Sequence, residues 1–430
     1  MYYDPVESLP RADLLRLQAE RLRAAVENSL NSPFYRQRLA EAGVRPEDIK
    51  SADDVRRIPF TTKSDLRSQY PYGMLCRPKD EFVRLHASSG TTGSPTAVFY
   101  TQADINQWAS LVARCMFATG MRKGDVFQNM SGYGLFTGGL GMHFGAEKLG
   151  CLTIPAGAGN SKRQVKLLRD FQVTAVHIIP SYALYFASFL KGEGIDPSSL
   201  SWRIALVGAE PHTEEVRRRV EELLGLKAFN SYGLTEMNGP GVAFECERQN
   251  GMHLWEDAYL AEIVDPETGE HVAEGEVGEL VMTTLTREGM PILRYRTRDL
   301  TRFLPGECAC GRTHRRIDRI AGRADDMLII KGVNIYPMQV EQVLMSMPEV
   351  GQNYLIELFT VEYIDQIRVK VEIKEEFFVE DMRALQKLQK KITDRLRDEL
   401  LVTPKVELVQ HNSIPQAEGK AKRVLDLRNA

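Results

Sequence analysis

Apolar runs alternate with amphipathic stretches through the middle of the chain, and this alternation constrains the fold more than any other feature. Residues 173–179 form an almost continuous apolar run, which is typical of a strand covered on both faces. A helical stretch over 182–190 leads to a second apolar run over 203–207. A helix over 214–224 and a strand from Lys227 complete the pattern. Strands and helices in this order predict βαβ units around a parallel sheet.

Polar segments follow two of these strands. Residues 208–211 come directly after the second apolar run, and residues 230–233 form a predicted turn after the next strand. Ligands of parallel sheets bind at the carboxyl ends of the strands. We therefore expect both segments to border a ligand site.

The two ends of the chain differ in pattern from the middle. Residues 11–42 have the periodicity of a helix. The last hundred residues combine a half-exposed strand over 368–374 with an amphipathic helix over 382–400. The polar stretch 322–326 is a suitable boundary. We expect an α/β protein with a large N-terminal domain over 1–324, whose parallel sheets are flanked by helices, and a small α+β C-terminal domain over 325–430, joined by a hinge.

Charge and hydropathy exclude several classes of protein. The 430 residues include 55 Lys and Arg against 58 Asp and Glu, a formal net charge of −3, which argues against nucleic acid or an anionic membrane as the main partner. No apolar run approaches the roughly 18–20 residues that span a bilayer, and the first residues lack the pattern of a signal peptide. The sequence predicts a cytoplasmic protein with reduced thiols.

Residues 88–96 interleave hydroxyl side chains with glycines. Backbone N–H and side-chain O–H donors in such a segment can surround a polyphosphate. The segment lacks the Gly-Lys-Ser/Thr ending of a Walker A loop, and by itself it is equally compatible with a flexible polar turn. Four further polar segments follow it along the chain, at residues 231–236, 295–299, 322–326 and 415–420.

In this order, the five segments resemble those of the acyl-adenylate-forming ligases, and the resemblance runs from roughly residue 30 to residue 425. Residues 132–141, 233–241 and 295–300 look most like the phenylacetate–CoA ligases within that superfamily. The resemblance implies an ATP-dependent aryl-acid:CoA ligase that forms an acyl-adenylate and then an aryl-acyl-CoA, with AMP and diphosphate as the other products.

The resemblance also implies roles for individual residues. Glu236 would bind Mg²⁺, Asp299 would accept hydrogen bonds from both ribose hydroxyls, and Lys420 would bridge the acid carboxylate and the α-phosphate. Charge develops on the phosphate oxygens during the attack, so a cation and Mg²⁺ there act electrostatically. The other implied ATP- and AMP-binding residues are Ser88, Ser89, Gly90, Thr91, Thr92 and Gly93 at the phosphates, Gly208, Ala209, Glu210, Asn230, Ser231, Tyr232 and Gly233 around the adenine, and Thr235 and Arg323.

The remaining implied roles concern the hinge, coenzyme A and the acid. Asp325 would be the hinge about which the small domain turns between the two half-reactions. Lys331 and Gly332 would line the tunnel for coenzyme A, where glycine permits close approach. The aryl pocket would be formed by Tyr133, Phe136, Gly138 and Pro240.

Several of these residues also have a simpler interpretation. Asp299 would equally suit an ion pair with Arg296 or Arg298, and Glu236 would suit the cap of a following helix. Arg323 would suit a surface position, and Lys420 would suit a solvated charge run. Lys331 and Gly332 would suit a plain turn.

The chain also departs from the pattern of its relatives in two of the motifs. Ser94 stands where they usually carry a basic residue, and Gln416 with Ala417 stands where they often have a basic and a hydroxyl residue. Both departures put the affinity for ATP in doubt.

Two cysteines, Cys308 and Cys310, are one residue apart, and Cys246 and His253 lie upstream with six residues between them. Three thiolates and one imidazole would complete a tetrahedral Zn²⁺ site, structural because it leaves no open position. His314 is a second candidate for the fourth ligand, and free thiols in a loop are the alternative to a metal site.

Other functions remain open at this point. The acid could be a different aryl acid such as indoleacetate, or the acceptor a deazaflavin. A nucleotide-binding sensor without turnover is disfavoured because Glu236 and Lys420 are both retained, and a carrier-linked adenylation module because no carrier follows Ala430. We expect His143 and His177 to be packed or capping residues. The expected partners are the aryl acid, ATP and CoA, without nucleic acid or membrane, and a homodimer is left open because relatives of this length often pair.

Overall fold

The computed structural model of the chain describes residues 1–88, 96–330, 333–361, 364–377, 382–411, 413–414 and 423–428. The chain forms two compact units, the first made of residues 1–178, 201–209 and 229–319, the second of residues 179–200, 210–228 and 320–430. The division between domains at residues 324 and 325 stays a prediction. None of the helices within the described ranges combines the length and the apolar character needed to cross a membrane.

The helices and strands are numbered in chain order. The helices are α1 (Arg11–Ser29), α2 (Pro33–Glu41), α3 (Lys63–Ser68), α4 (Gln102–Ala118), α5 (Thr137–Leu149), α6 (Ser161–Asp170), α7 (Pro180–Gly192), α8 (Glu214–Leu224), α9 (Pro337–Met345) and α10 (Met382–Leu400). The strands are β1 (Phe82–Ala87), β2 (Ala97–Thr101), β3 (Val126–Asn129), β4 (Leu152–Ile154), β5 (Ala175–Ile178), β6 (Ile204–Gly208), β7 (Lys227–Leu234), β8 (Gly239–Glu245), β9 (Met252–Leu254), β10 (Tyr259–Val264), β11 (Gly278–Thr284), β12 (Tyr295–Thr301), β13 (Phe303–Leu304), β14 (Arg316–Ile317), β15 (Gly322–Arg323), β16 (Leu328–Ile330), β17 (Val333–Ile335), β18 (Val350–Val361), β19 (Ile364–Ile373), β20 (Lys405–Val409) and β21 (Val424–Asp426).

The largest sheet has the strand order β13-β14-β9-β8-β7-β6-β5-β3-β4. Strands β4, β3, β5 and β6 run parallel, as the apolar runs predict, and every residue of β5 and β6 is buried. Strands β7, β8, β9, β14 and β13 continue the sheet in antiparallel pairs. Helices α4 and α5 pack against each other and against β8. The parallel half of the sheet therefore adjoins an antiparallel half at β7.

Smaller sheets complete each unit. In the first unit, β10, β11 and β12 pair antiparallel, and so do β1 and β2. In the second unit, the strand order is β20-β19-β18-β21, with an antiparallel pair in the centre and a parallel strand on each side. Helices α9 and α10 contact each other, as do α7 and α8. The mixed α/β character of the prediction is confirmed.

Three local predictions were wrong. The helical stretch 11–42 is two helices, because Pro33 begins α2 and a residue that precedes proline is disfavoured in a helix. Residues 230–233 are not a turn but lie inside β7, where Ser231 and Tyr232 pair with β8. Residues 295–299 do not end a strand, because β12 begins at Tyr295 and continues to Thr301.

Candidate active site and candidate metal centre

Two buried side chains meet where β7 and β12 come together. The hydroxyl of Tyr232 donates a hydrogen bond of 2.6 Å to Oδ2 of Asp299, and each residue is only 8% exposed. Arg296 and Arg298, the alternative partners of Asp299, contact the buried carboxylate of Glu279 instead. The structure therefore gives both arginines another partner and aims a phenol at the carboxylate that the resemblance assigns to the ribose.

Glu236 lies in a 3-10 turn, Thr235–Met237, between β7 and β8. Its side chain is buried, and Oε1 accepts a hydrogen bond of 3.1 Å from the hydroxyl of Tyr295. Asn238, with a φ of 77°, ends the turn in the left-handed conformation. The described residues after the turn continue as β8, so Glu236 caps no helix there. The carboxylate is held by a tyrosine from the neighbouring strand β12.

Arg287 is a residue of this site that the sequence did not single out. Its guanidinium is 3% exposed and lies 4.6 Å from the centroid of the Tyr100 ring. Nη1 donates to the backbone oxygen of Glu236 at 2.8 Å, and Nη2 donates to that of Phe99 at 3.3 Å. Arg287 thus ties strand β2 to the turn that carries Glu236. In the sequence it stands in a Thr-Arg-Glu-Gly segment with the character of an exposed charged turn.

Two glycines of the motifs are required by close approach of neighbouring strands. A Cβ at Gly233 would lie 1.9 Å from the backbone oxygen of Gly239, and a Cβ at Gly208 would lie 2.5 Å from that of Ser231. No side chain fits at such distances. Ala209, which follows β6, has a φ of 71°, so the chain turns sharply at the carboxyl end of this strand. These glycines let β6, β7 and β8 approach closely beside the predicted adenine segments.

The two ends of the predicted phosphate loop are hydrogen-bonded to each other. The backbone N–H of Ser88 donates to the oxygen of Thr96 at 3.1 Å, and the N–H of Thr96 donates to Oγ of Ser88 at 3.3 Å. Strands β1 and β2 extend the pairing on either side. The rest of the predicted loop and three other predicted site residues lie outside the described residues, namely Ser89, Gly90, Thr91, Thr92, Gly93, Lys331, Gly332 and Lys420.

The second unit has an open cavity of about 520 Å³, and Glu210, Arg323 and Asp325 are among its lining residues. Nε of Arg323 donates to Oδ1 of Asp325 at 2.9 Å, and Oε1 of Glu210 accepts a bond of 2.6 Å from a backbone N–H of α7. Burial raises the pKa of Glu341, which also lines the cavity. The structure brings these three predicted residues to one cavity, where Arg323 is part of an ion pair.

The predicted aryl segment precedes and begins α5. Phe136 is 41% exposed and stands immediately before the helix, and a Cβ at Gly138 would lie 2.5 Å from its ring. At the start of β8, a Cβ on Gly239 would lie 2.3 Å from Cβ of Thr137. The beginning of α5, with Phe136 and Gly138, therefore packs closely against the beginning of β8, which includes Pro240.

The remaining residue of the aryl segment, Tyr133, belongs to a hydrogen-bonded group around Asn129, the last residue of β3. Nδ2 of Asn129 lies 3.0 Å from the Tyr133 hydroxyl, and Oδ1 lies 3.0 Å from Nδ1 of His177. Burial lowers the pKa of His177 to about 4, so this imidazole is neutral at pH 7. His177 is a packed residue, and His143 contacts Glu147 at 3.0 Å.

Three cysteines and one histidine converge in the first unit. Their ligand atoms all lie within 4.8 Å of one another: Sγ of Cys246, Cys308 and Cys310, and a ring nitrogen of His253. Cys246 follows β8, His253 is in β9, and the other two cysteines are in the turn between β13 and β14. The pairing of β9 with β14 brings these segments together.

The distances within this Cys/His cluster suit a tetrahedral Zn²⁺. With Zn–S bonds of about 2.3 Å, two sulfur ligands are roughly 3.8 Å apart. Sγ of Cys246 and Sγ of Cys308 are 3.8 Å apart, and Sγ of Cys310 lies 3.3 Å from Nε2 of His253. Nδ1 of His253 is 3.3 Å from the backbone oxygen of His314, an arrangement that orients metal-binding imidazoles.

His314, the second candidate for the fourth ligand, is engaged elsewhere. Its Nδ1 accepts a hydrogen bond of 2.9 Å from the N–H of Glu256, and its Nε2 lies 3.0 Å from the oxygen of Val6. Next to Val6, the fully buried carboxylate of Glu7 pairs with Arg312 at 2.6 Å. The N-terminal residues Val6 and Glu7 thus contact the cysteine turn through His314 and Arg312. The structure brings His253 rather than His314 to the cluster.

The protonation of the thiols follows from their proximity. The hydrogen bond between Cys246 and Cys310 lowers the pKa of Cys310 and raises the pKa of Cys246. Cys310 is therefore the thiol of the pair that loses its proton more readily. Thiolates are the form of cysteine that binds metal.

Comparison with known proteins places this geometry in a family. The chain matches the AMP-binding enzyme family over residues 33–285 and the C-terminal domain of AMP-binding enzymes over residues 332–428. It is 48% identical to the phenylacetate-coenzyme A ligase of Thermus thermophilus, with 100% of both chains covered. It is 44% identical to that of Escherichia coli, with 99% of this chain and 98% of the relative covered.

Solved structures of the same class have the same fold. The 2-hydroxyisobutyryl-CoA ligase in its postadenylation state, in complex with R3-HIB-AMP, matches with a TM-score of 0.93 and 32% identity over 99% of this chain and 92% of that one. In the thioesterification state, with 2-HIB-AMP and CoA, the TM-score is 0.73 at 33% identity over 100% and 93%. Fold and site thus define an adenylate-forming CoA ligase. The chain belongs to the phenylacetate–coenzyme A ligases of the AMP-binding enzyme family, which confirms the resemblance found in the sequence.

Proposed function

We propose that the chain joins phenylacetate to coenzyme A through an acyl-adenylate, and that ATP is converted to AMP and diphosphate. The observation that carries the proposal is the pair of buried carboxylates, Asp299 with Tyr232 and Glu236 with Tyr295, on the family's motifs in the first unit. The relatives at 44–48% identity are phenylacetate-coenzyme A ligases, which supports an aryl acid as the substrate.

Asp299 is suited to hold the nucleotide by its ribose. A carboxylate with two oxygens makes a bidentate pair with two vicinal hydroxyls, and charged hydrogen bonds of this kind are strong. The hydroxyl of Tyr232 fixes the orientation of the carboxylate through Oδ2. The residues that would flank the adenine are Gly208, Ala209, Glu210, Asn230, Ser231, Tyr232 and Gly233, and Arg323 would also contact the nucleotide.

Glu236 is suited to hold Mg²⁺, because a carboxylate oxygen is the ligand that this ion prefers. The ion would neutralise charge on the phosphates of ATP. Tyr295 orients the carboxylate, and Arg287 fixes the backbone of Glu236. Lys420 would stabilise the charge that develops when the acid carboxylate attacks the α-phosphorus and diphosphate leaves. The thiolate of coenzyme A then attacks the carbonyl carbon of the mixed anhydride, and AMP leaves.

The binding and catalytic roles would be divided between two domains. Residues 1–324 would bind ATP and the aryl acid, and residues 325–430 would carry Lys420 and turn about Asp325. Lys331 and Gly332 would line the path of the pantetheine arm. The separate matches over 33–285 and 332–428 support this division.

A structural Zn²⁺ would be bound by Cys246, His253, Cys308 and Cys310. The donor set and the spacing of its atoms fit this ion. With four protein ligands, the ion would stabilise the turn between β13 and β14 and bind no substrate. Cytoplasmic location and pairing as a homodimer stay predictions of the sequence and its family.

The proposal is tested by diphosphate release with ATP and Mg²⁺ on phenylacetate, benzoate, indoleacetate and a fatty acid, with and without coenzyme A. We expect release that depends on phenylacetate and accelerates with coenzyme A. A preference for indoleacetate would change the acid but keep the reaction. ATP binding by calorimetry without diphosphate release for any acid would contradict the proposal and favour a nucleotide-binding sensor.

A further inference from the structure

A row of hydrogen bonds in the first unit joins the end of β3 to the surface of α5. Nδ2 of Asn129 lies 3.0 Å from the hydroxyl of Tyr133, that hydroxyl lies 3.3 Å from Nδ1 of His143, and Nε2 of His143 lies 3.0 Å from Oε1 of Glu147. His143 and Glu147 are one helical turn apart on α5, and the Glu147 side chain is half exposed. The resemblance found in the sequence assigns Tyr133 to the aryl pocket, and the proposed function gives no role to the other residues of this row.

The direction of each bond follows from the two ends of the row, Asn129 and Glu147. Nδ2 of Asn129 also lies 2.8 Å from the backbone oxygen of Gly139, which can only accept, so this side of the amide is the NH₂ group. Oδ1, on the other side, accepts a bond of 2.8 Å from the hydroxyl of Ser131. The Tyr133 oxygen therefore accepts from Asn129. At the outer end, the Glu147 carboxylate can only accept, so Nε2 of His143 carries a proton. In the neutral imidazole Nδ1 is then an acceptor, and the proton of the Tyr133 hydroxyl is directed to it.

We propose that His143 and Glu147 are positioning residues that determine the specificity for the acid. They engage the proton of the Tyr133 hydroxyl, so this hydroxyl has no proton to donate to a substrate. The Tyr133 side of the aryl pocket then acts as an apolar wall and favours an unsubstituted ring. The inference rests on the proposed function and on the assignment of Tyr133 to the aryl pocket. Tyr133 is half-buried, and a Cβ built on either neighbour, Gly132 or Gly134, meets no atom within 4 Å. Open space therefore adjoins the segment on which the ring stands.

The chemical consequence is that the pocket discriminates against hydroxylated acids, because it offers their hydroxyl group no hydrogen-bond partner. A hydroxylated ring would place a polar group beside Tyr133, whose own donor is already engaged, and a buried polar group without a partner is costly. A site that offers no partner thus selects against hydroxyphenylacetates. Once the proton of Tyr133 is released from His143, the same phenol becomes a donor for a substrate hydroxyl.

The experiment compares kcat/KM for phenylacetate with kcat/KM for 2-, 3- and 4-hydroxyphenylacetate. His143→Phe keeps a ring but removes the acceptor, so we expect the ratio for the best hydroxylated acid over phenylacetate to rise about tenfold. His143→Asn places an amide oxygen near the position of Nδ1. It should restore a ratio within about twofold of that of the wild-type protein.

Two further variants separate this role from a merely structural one. The double variant Tyr133→Phe with His143→Phe should have the ratio of Tyr133→Phe alone, because the gain requires the hydroxyl. Glu147→Ala, at the half-exposed end of the row, should raise the ratio about threefold and serves as the test if His143→Phe does not fold.

Some outcomes would overturn the role of His143 and Glu147, and another would overturn the proposed function. An unchanged ratio in folded His143→Phe, or an equal loss of kcat/KM for all four acids, would overturn the inference, because His143 would then only stabilise the fold. A gain that persists in the double variant would overturn it as well. If the unsubstituted protein is inactive on phenylacetate and on its hydroxylated forms, the proposed function fails instead.

Discussion

The first unit contains two groups of buried polar side chains that differ in how they are satisfied. In the Cys/His cluster the four ligand atoms lie within 4.8 Å of one another. At the carboxylates of Asp299 and Glu236, each acid is oriented by a phenol from another strand. The ligand atoms of the Cys/His cluster therefore point towards one another, whereas each carboxylate is hydrogen-bonded to a neighbouring side chain.

This difference teaches what each group needs from its ligand. Ligand atoms that converge in a buried place repel one another or compete for protons unless a cation lies between them, so we expect the cluster to depend on an ion for stability. The carboxylates already have hydrogen-bond donors, so the surrounding structure is expected to persist when nucleotide leaves. A stabilising site and a turnover site therefore respond differently to substitution, and four predictions test this contrast from the largest effect to the smallest.

The largest effect is expected for Lys420→Ala. The loss of a cation at the α-phosphate should slow acyl-AMP formation by about 10²–10³-fold. Thiolation of supplied acyl-AMP should be much less affected, and the melting temperature should not change. Lys422→Ala is the matched control and should retain activity. Equal loss of both half-reactions would contradict the assigned role.

Asp299→Asn should lower kcat/KM for ATP by about 100-fold, because two charge-assisted hydrogen bonds to the ribose become weaker neutral ones. The amide keeps the shape of the carboxylate, and its oxygen can still accept from Tyr232, so thermal unfolding should occur close to the original temperature. A large fall in melting temperature with unchanged kcat/KM would make Asp299 a stabilising residue and remove the contrast with the cluster.

Cys308→Ser combined with Cys310→Ser should have the opposite profile. We expect the zinc content to fall from one ion per chain to near zero and the free energy of unfolding to fall by roughly 2 kcal/mol or more. The KM for ATP should be preserved in the protein that remains folded. Cys151→Ser, at a buried cysteine outside the cluster, is the control for zinc content. Unchanged stability in a metal-free double variant would refute the structural role.

Tyr295→Phe should have the smallest effect. It removes one hydrogen bond to Glu236, worth about 1 kcal/mol, so the concentration of Mg²⁺ needed for half-maximal rate should rise about fivefold. Tyr232→Phe, which removes the corresponding bond to Asp299, should instead raise the KM for ATP and leave the Mg²⁺ dependence unchanged. An identical response of the two variants would show that the two carboxylates act as one site.

Much of the fold was predictable because its signal is local. The apolar runs and helical periods between 173 and 224 identified β5, α7, β6 and α8. Residues 230–233 were misassigned because Asn, Ser and Gly are typical of turns, whereas the pairing of this segment with β8 depends on tertiary context. The break between α1 and α2 had a visible signal in Pro33, which the helical periodicity outweighed.

The site was predictable in its residues but less so in their partners. Cysteine spacing identified the Cys/His cluster, yet only the fold shows that Val6 and Glu256 engage His314. Likewise, no local pattern indicates that Tyr232 and Tyr295 would orient the carboxylates, because these contacts join residues 67 and 59 positions apart. Arg287 was missed for the same reason.

The contact between the first residues and the cysteine turn has a consequence for biosynthesis. Glu7 and Arg312 are 305 positions apart in the chain. At about 5–20 residues per second, the N-terminal turn leaves the ribosome roughly 15–60 s before its partner is made. During that interval a carboxylate destined for complete burial stays in water, and the nascent chain keeps its beginning open to proteases and chaperones. The contact between Glu7 and Arg312 can thus form only late in translation, after almost all of the first unit has been synthesised.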